Sequence, residues 1–350
     1  MAAEAVQSRE RPRISVVIPA RNEASTIERA IQPLLADPVA ADIEVIVADG
    51  DSTDSTARIV EALARHDPRV ILVRNPRRTT PEGLNAAIRA STGDVIIRMD
   101  GHAEPRPDYL TACIRVLQAS GAWNVGGRMQ KAGLTPAGRA AAAATSSAFG
   151  IGWGRRFHLL QEPADVDSVW LGCWPRWVFE RIRLFDPELV QVEDEELNQR
   201  IMEAGGRVRF DPSISAVYYG RRSWSGLIHQ YFRYGRSKVR AAQKRPRLIR
   251  VRHLAPATLV GFLAFTLGAS LLEPTALVLL IAGVAAWVCL AALAANKVAA
   301  ANDARMLDVI IAFGCIHLAY GFGTWTGLVA FAPRWFVGRH GPIPGLDTVG

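Results

Sequence analysis

The chain has 350 residues, 49% of them hydrophobic, and 41 basic against 33 acidic residues give it a formal net charge of +8. That is room for one large α/β domain plus an apolar region. Cys113, Cys173, Cys289 and Cys315 show no paired metal spacing and two fall in apolar runs, which disfavours a soluble zinc enzyme and leaves reduced, structural thiols.

Met1 to Pro12 is polar and lacks an apolar signal-peptide core, so a catalytic domain that follows it is expected in the cytosol. Arg13 to Pro19 reads as a buried strand ended by proline. Ala20-Arg21-Asn22-Glu23 and a helix capped by Ser25 or Thr26 come next. A second strand, Ile43 to Ala48, ends in the polar run Asp49-Gly50-Asp51-Ser52-Thr53-Asp54-Ser55. A third, Asp94 to Met99, ends in Asp100-Gly101-His102. Open parallel α/β sheets bind ligands beyond the C-terminal ends of their strands, so these polar ends are expected to converge on one site. Strand alternation would put Asp100 and His102 on one face. A carboxylate and an imidazole there suit Mg²⁺ or Mn²⁺ bridging a diphosphate, and a plain Asp-Gly turn is the alternative.

Further on, Trp170, Trp174 and Trp177 surround Gly172 and read equally as a sugar-stacking platform or as core. The acids Glu193 to Glu196 precede a helix-like Leu197-Asn198-Gln199-Arg200-Ile201. A carboxylate is favoured at a helix start, and like charges raise a carboxyl's pKa toward that of a base. A solvated acidic helix face is the other reading. Gln230 and Arg233, three apart, share a helical face, and Tyr231, Phe232 and Tyr234 fit a helix at a membrane interface. From Arg233 to Arg252 there are nine cations and no acid, a pattern that attracts anionic head groups. No recognition motif accompanies them, so nucleic acid is excluded as a partner.

Three apolar runs close the chain, Leu254 to Leu272, Thr275 to Asn296 and Val309 to Pro333, each long enough to span a bilayer. Only Glu273-Pro274 separates the first two, which implies a hairpin. Three crossings would leave Arg334, Arg339 and His340 outside the cytosol, against the positive-inside preference. Gly314, Gly321, Gly323 and Gly327 in the third run are compatible with close helix packing or a re-entrant path.

Val17-Ile-Pro-Ala-Arg-Asn-Glu23, Val47-Ala-Asp-Gly-Asp-Ser-Thr-Asp54, Gly83-Leu-Asn85 and Met99-Asp-Gly-His102 resemble the motifs of family 2 of the nucleotide-sugar glycosyltransferases. Val192 to Asn198 resembles that family's base motif, and Gln230-Tyr-Phe-Arg233-Tyr234 its Q-x-x-R-W/Y signature. Asp-Gly-His in place of Asp-x-Asp, Ser146 to Gly150 and Val166-Asp167 resemble the succinoglycan-type ExoA branch.

The resemblance implies a GT-A fold, an α/β domain with a Rossmann-like, mostly parallel sheet, over residues 13–220. Basic amphipathic interface helices over 221–253, about three transmembrane helices over 254–333 and a tail over 334–350 are expected after it. It implies an inverting enzyme in the cytoplasmic membrane that moves a sugar, most often from UDP, to a polyprenyl-diphosphate-linked glycan. A polyprenyl-monophosphate glycosyl synthase and a non-catalytic membrane scaffold are the alternatives. Carried over by motif position, Asp194 with Glu193 serves as base and Gln230 and Arg233 act at the diphosphate. Pro19, Ala20, Arg21, Asn22, Glu23, Asp49, Asp51, Asn85 and Asp100 contact the nucleotide, and Asp100 and His102 hold the cation. Trp170, Gly172 and Trp174 would form the acceptor side.

Overall fold

A computed structural model describes residues 12–152 and 160–335. The expected tails, apart from Pro12 and the backbone of 334–335, lie outside the described residues, as do Arg339 and His340. In chain order the elements are β1 (Ile14–Ala20), α1 (Ile27–Leu35), β2 (Ile43–Asp49), α2 (Thr56–His66), β3 (Val70–Arg74), α3 (Thr80–Ala90) and β4 (Val95–Arg98). Then come β5 (Ala103–Pro105), α4 (Tyr109–Ser120), β6 (Asn124–Ala132), α5 (Pro136–Ser146), α6 (Ala148–Ile151), β7 (Ala164–Asp165), β8 (Trp170–Pro175) and α7 (Arg176–Ile182). The chain continues through α8 (Glu193–Glu203), β9 (Val208–Tyr219), α9 (Trp224–Lys244), α10 (Ala255–Ala269), α11 (Pro274–Val298) and α12 (Met306–Ala330). Two compact units result, Met1–Gln130 with Phe157–Tyr218 and Lys131–Arg156 with Tyr219–Gly350. Residues 131–156 thus group with the second unit.

In the first unit the strands form one mixed sheet in the order β3-β2-β1-β4-β8-β6-β9-β5, with β7 also on β9. β1 to β4 are parallel to their neighbours, while β8 runs antiparallel to β4. Strand alternation divides the core into two layers. Ile14, Val16, Ile18, Val45, Val47, Val95 and Ile97 face the layer that holds α1, α2 and α4. Val17, Ile46, Ala48 and Ile96 face the layer built by α3, α7 and α8. The sheet order reverses between β1 and β4, so their C-terminal ends flank a topological switch point, where α/β sheets take their ligands. Thr26 occupies the start of α1, but its side chain makes no cap bond to the helix; its hydroxyl lies 3.3 Å from the Glu23 carbonyl instead.

The second unit is helical. α5 is capped by Thr135, whose Oγ1 accepts from Gly138 N at 3.0 Å, and α9 by Ser223, whose Oγ accepts from Gly226 N at 3.1 Å. Pro246–Leu248 and Val251–His253 form two 3-10 turns between α9 and α10. The segments Val251–Ala269, Pro274–Val298 and Met306–Ala330 are long and apolar enough to cross a membrane. His317 on α12 lies 2.8 Å through Nε2 from the Phe149 carbonyl and 3.1 Å through Nδ1 from the Trp287 indole nitrogen. The indole donates to Nδ1, so Nε2 carries the proton and donates to Phe149.

Candidate active site

The C-terminal ends of β1 and β2 are fastened to each other. Gly50 N donates to the Ala20 carbonyl at 2.8 Å. Asn22 takes a left-handed φ of 58°. Its amide donates to Ser52 Oγ at 3.0 Å, and its Oδ1 accepts from Thr53 N at 2.8 Å. Asn tolerates that backbone region better than most residues, which explains its place after the strand. Glu23 N donates to Thr56 Oγ1 at 2.8 Å. Pro19 is half-buried, Ala20 buried and Arg21 exposed. Asp49 accepts from Ser52 N through Oδ2 at 3.0 Å, while its buried Oδ1 has no protein partner. A buried carboxylate oxygen without a donor costs stability unless a ligand supplies one. Asp51, at φ 50°, is turned toward Arg78 (3.2 Å) and Arg74 (3.4 Å).

At the end of β4, Arg98 is a cation in an otherwise apolar buried strand, and its alternation places it on the α8 face. It is buried at 5% exposure. Its Nε donates to Asp100 Oδ1 at 2.9 Å, and its Nη1 donates to Glu193 Oε1 at 3.2 Å and to Asp194 Oδ1 at 2.6 Å. One guanidinium thus joins the carboxylate expected to hold the cation to the one expected to act as base, and it spans the distance from β4 to the first turn of α8. A planar fork does this where a point charge cannot. Sequence motifs did not single out Arg98; the signal was there, a lone arginine in Val-Ile-Ile-Arg-Met.

Charge sets the protonation of this cluster. Burial pushes the Asp100 carboxyl upward, but Arg98 and the neighbouring His102 outweigh it and hold the group below its usual value. Asp194 goes the other way: burial raises it, Arg98 opposes, Glu193 and Asp100 add repulsion, and the carboxyl is pushed up to about 7. Its side chain keeps 22% exposure, against 8% for Glu193, so Asp194 is the more accessible of the two acids bound to Arg98. Glu193 Oε2 is buried without a partner. Glu196 is structural, since it pairs with Arg200 at 2.8 Å, and Arg200 also binds the Ile182, Arg183 and Leu184 carbonyls.

β4 ends at Arg98, and Ala103 N donates back to the Asp100 carbonyl at 2.9 Å. Asp100 and His102 therefore sit on a turn, and strand alternation is not what brings them near each other. His102 Nδ1 lies 3.0 Å from Glu23 Oε1, and its ring packs edge-on against Tyr218 at 5.0 Å. Trp170 packs on the same tyrosine at 5.8 Å and points its indole N–H at Asp100 Oδ2, 3.3 Å away. Leu171 beside it holds φ 51° where β6 and β8 shift register. That bulge turns Trp170 toward the site. Tyr218 is a further residue the motifs did not reveal.

Among the described residues no three His, Cys, Asp or Glu side chains form a ready metal cage. The donor set still fits a divalent cation: Asp100 and His102 would supply two ligands beside a net negative cluster, and Mg²⁺ or Mn²⁺ sites commonly take their remaining ligands from phosphate oxygens and water.

Three expected contacts need correction. Trp174 is 1% exposed and packs against Phe179 and Phe185, and a Cβ on Gly172 would lie 2.2 Å from its ring. Both belong to the core, so of the three only Trp170 reaches the site. Asn85 is buried, donating Nδ2 to the Phe185 carbonyl at 2.9 Å and accepting from Phe185 N at 3.0 Å. It holds the loop before α8 through this pair of bonds. In the second unit, Gln230 donates to the Tyr234 hydroxyl at 3.0 Å and Arg233 is exposed on α9. Lys238 and Arg240, expected at the lipid surface, are buried at 7% and 4%.

Comparison with known proteins gives a consistent picture. The profile of "Glycosyl transferase family 2" matches residues 15–180. Succinoglycan biosynthesis protein ExoA of Rhizobium meliloti is 31% identical over 330 residues, 91% of this chain and 96% of that protein. A dolichyl N-acetyl-alpha-D-glucosaminyl phosphate 3-beta-D-2,3-diacetamido-2,3-dideoxy-beta-D-glucuronosyltransferase of Methanococcus voltae is 26% identical over 234 residues, 64% of this chain and 72% of that one. Among solved structures, the mannosyltransferase PcManGT of Pyrobaculum calidifontis, in complex with GDP-Man and Mn²⁺, aligns with a TM-score of 0.55. It covers 93% of this chain and 92% of its own at 21% identity, a likeness of fold.

Proposed function

Because the chain belongs to glycosyl transferase family 2, we propose that it is an inverting, membrane-bound glycosyltransferase. In this reading it moves a hexose from a nucleotide sugar, UDP-linked as the family resemblance implies, to a polyprenyl-diphosphate-linked glycan of an extracellular polysaccharide. The observation that carries the reading is the Arg98-centred cluster, in which Asp194 is reachable and poised near 7 while Asp100 stays ionised. A base whose pKa lies near working pH takes a hydroxyl proton most effectively.

In the reaction Asp194 accepts the proton of the acceptor hydroxyl as that oxygen bonds to the anomeric carbon. The bond from that carbon to the diphosphate breaks, and the nucleoside diphosphate leaves. Attack opposite the leaving group inverts the anomeric centre. Asp49, through its unpartnered Oδ1, receives a donor group of the nucleoside, and Asn22 and Glu23 line the same end. Asp100 and His102 would hold a divalent cation, which would supply positive charge to offset that of the leaving diphosphate. Trp170, fixed against Tyr218, offers its aromatic face to the acceptor sugar. The apolar helices and the basic α9 keep the enzyme at the cytosolic face of the membrane, beside a lipid-borne acceptor and anionic lipid.

The test is to supply membranes containing the protein with a panel of labelled UDP- and GDP-sugars and resolve the lipid extract by thin-layer chromatography. Label should enter a lipid-linked oligosaccharide and vanish in Asp194→Asn. Label on bare polyprenyl monophosphate would instead assign the synthase alternative, and no lipid product from any donor would refute both.

A further inference from the structure

Within the second unit, α9 and α12 lie against each other at backbone distance. A Cβ on Gly235 would come within 2.0 Å of the Tyr320 carbonyl oxygen, and one on Gly323 within 2.0 Å of that of Phe232. A Cβ on Gly327 would meet the Arg236 carbonyl at 3.0 Å. At the far end Gln243 donates Nε2 to the Phe331 carbonyl at 2.8 Å, and the Arg236 guanidinium sits 5.7 Å from the Phe331 ring centre. Position 232 meets 323, 236 meets 327 and 243 meets 331. The contacts advance together, so the two helices point the same way and end together.

The partners differ in character. α12 has the length and composition of a span, but the last twelve residues of α9 carry Arg233, Arg236, Lys238, Arg240 and Lys244. Such a cluster is costly in hydrocarbon. Any path that takes the second half of α12 across the bilayer drags these cations with it. The exposure of α12 leads to the same conclusion. Of its eight large exposed apolar residues, Leu307, Ile311, Leu318, Phe322, Trp325 and Val329 recur at spacings of three, four and seven and form one stripe, with Leu328 at its edge and Met306 at the helix start. The opposite face, with Val309, Ala312, Phe313 and Ile316, is buried. α11 behaves differently: Leu277, Val278 and Leu279 are all exposed in succession, as on a helix surrounded by lipid. The start of α10 also lies beside the second half of α12, where the Trp325 indole donates to the Ala257 carbonyl at 2.9 Å.

We propose that α12 is not a third crossing. It lies along the membrane face from which α10 enters, with its apolar stripe against the acyl chains of that leaflet and its other face held by α9. The α10–α11 hairpin is the inserted element, and the end of α12 returns to the side of α9. This placement also removes the conflict between the basic residues that follow α12 in the sequence and the positive-inside preference.

Sidedness decides it. In a chain whose four cysteines are replaced by alanine, Arg250→Cys and Pro333→Cys would each be exposed to a membrane-impermeant maleimide in sealed right-side-out vesicles, before and after lysis. The proposal expects both to label only after lysis. Labelling of Pro333→Cys in sealed vesicles while Arg250→Cys stays protected would overturn it. Should the cysteine-free chain fail to fold, the unaltered chain carrying green fluorescent protein at either end gives the same answer. Fluorescence from both fusions is expected, and fluorescence from the N-terminal fusion alone, with an active alkaline phosphatase at the C-terminus, would refute the placement.

Discussion

Replacing Arg98 by methionine should move the pH dependence of transfer more than it lowers the highest attainable rate. In the parent, Asp194 is pushed up to about 7 with Arg98 opposing the rise. Unit charges at about 4 Å in a medium of effective dielectric about 20 interact by roughly 4 kcal/mol. At about 1.4 kcal/mol per pH unit, the guanidinium holds Asp194 down by on the order of two to three units. Loss of that charge raises the base to about 9 or above. At pH 7.5 the ionised fraction then falls from about three quarters to a few per cent, so turnover drops by roughly twentyfold or more and recovers toward pH 9.

The assay is initial rates of sugar transfer by protein in lipid nanodiscs, at saturating donor and cation, from pH 5.5 to 9.5. Recovery at high pH separates a base that is protonated from a chain that has lost its fold. Arg98→Lys keeps the charge but not the fork that spans Asp100 and Asp194. Its acid limb should stay near the parent's while its plateau is lower. An acid limb that remains near 7 in Arg98→Met would refute the assignment of that limb to Asp194.

Asp194→Asn should abolish transfer while nucleotide affinity stays within a few-fold, and turnover retained in that variant would end its role as base. The same substitution tests linkage. A carboxyl whose folded pKa is raised from 3.8 to about 7 contributes stability below the unfolded value that is lost as pH rises through about 7, at most about 4 kcal/mol. Asp194→Asn should therefore melt higher than the parent at pH 8 and level with it below pH 4. His102→Ala should weaken Mn²⁺-dependent binding of UDP and Asp100→Ala nearly eliminate it, with His102→Asp restoring binding and favouring Mg²⁺; calorimetry with each metal reads this. Replacing the exposed Arg247 and Arg250 by glutamine should weaken co-sedimentation with anionic vesicles without releasing the protein from membranes under carbonate wash.

Much of the site was legible because strand ends and helix starts have local chemistry. Asn22 before a helix and four acids ahead of Leu197 each mark a place where backbone geometry changes, and the structure puts a loop or a helix start at each, whereas Pro19 lies within β1, which continues to Ala20. What stayed hidden depends on long-range pairing. Asn85 looks like a ligand contact in sequence and is bonded to the backbone of Phe185, one hundred residues away. Trp170 and Trp174 are alike in composition, yet the bulge at Leu171 sends one to Asp100 and leaves the other in the core. Lys238 and Arg240 read as surface charge and are buried.

Arg98 shows why such residues matter more than their motif content suggests. In the proposed reaction, a carboxylate that holds a cation and one that takes a proton need opposite environments, the first ionised always and the second only part of the time. Placed in separate pockets, each would need its own counter-charge. Here a single guanidinium serves both, and the difference between them comes from surroundings: Asp100 has His102 and the Trp170 N–H on its other side, whereas Asp194 has Glu193. Charge gained or lost at either carboxylate is therefore felt at the other through one shared partner. A double-mutant cycle between Arg98→Met and Asp194→Asn should be strongly non-additive in transfer rate, with Arg98→Met costing little once Asp194→Asn is in place at pH 7.5. Additive losses would mean that Arg98 acts on the donor side alone.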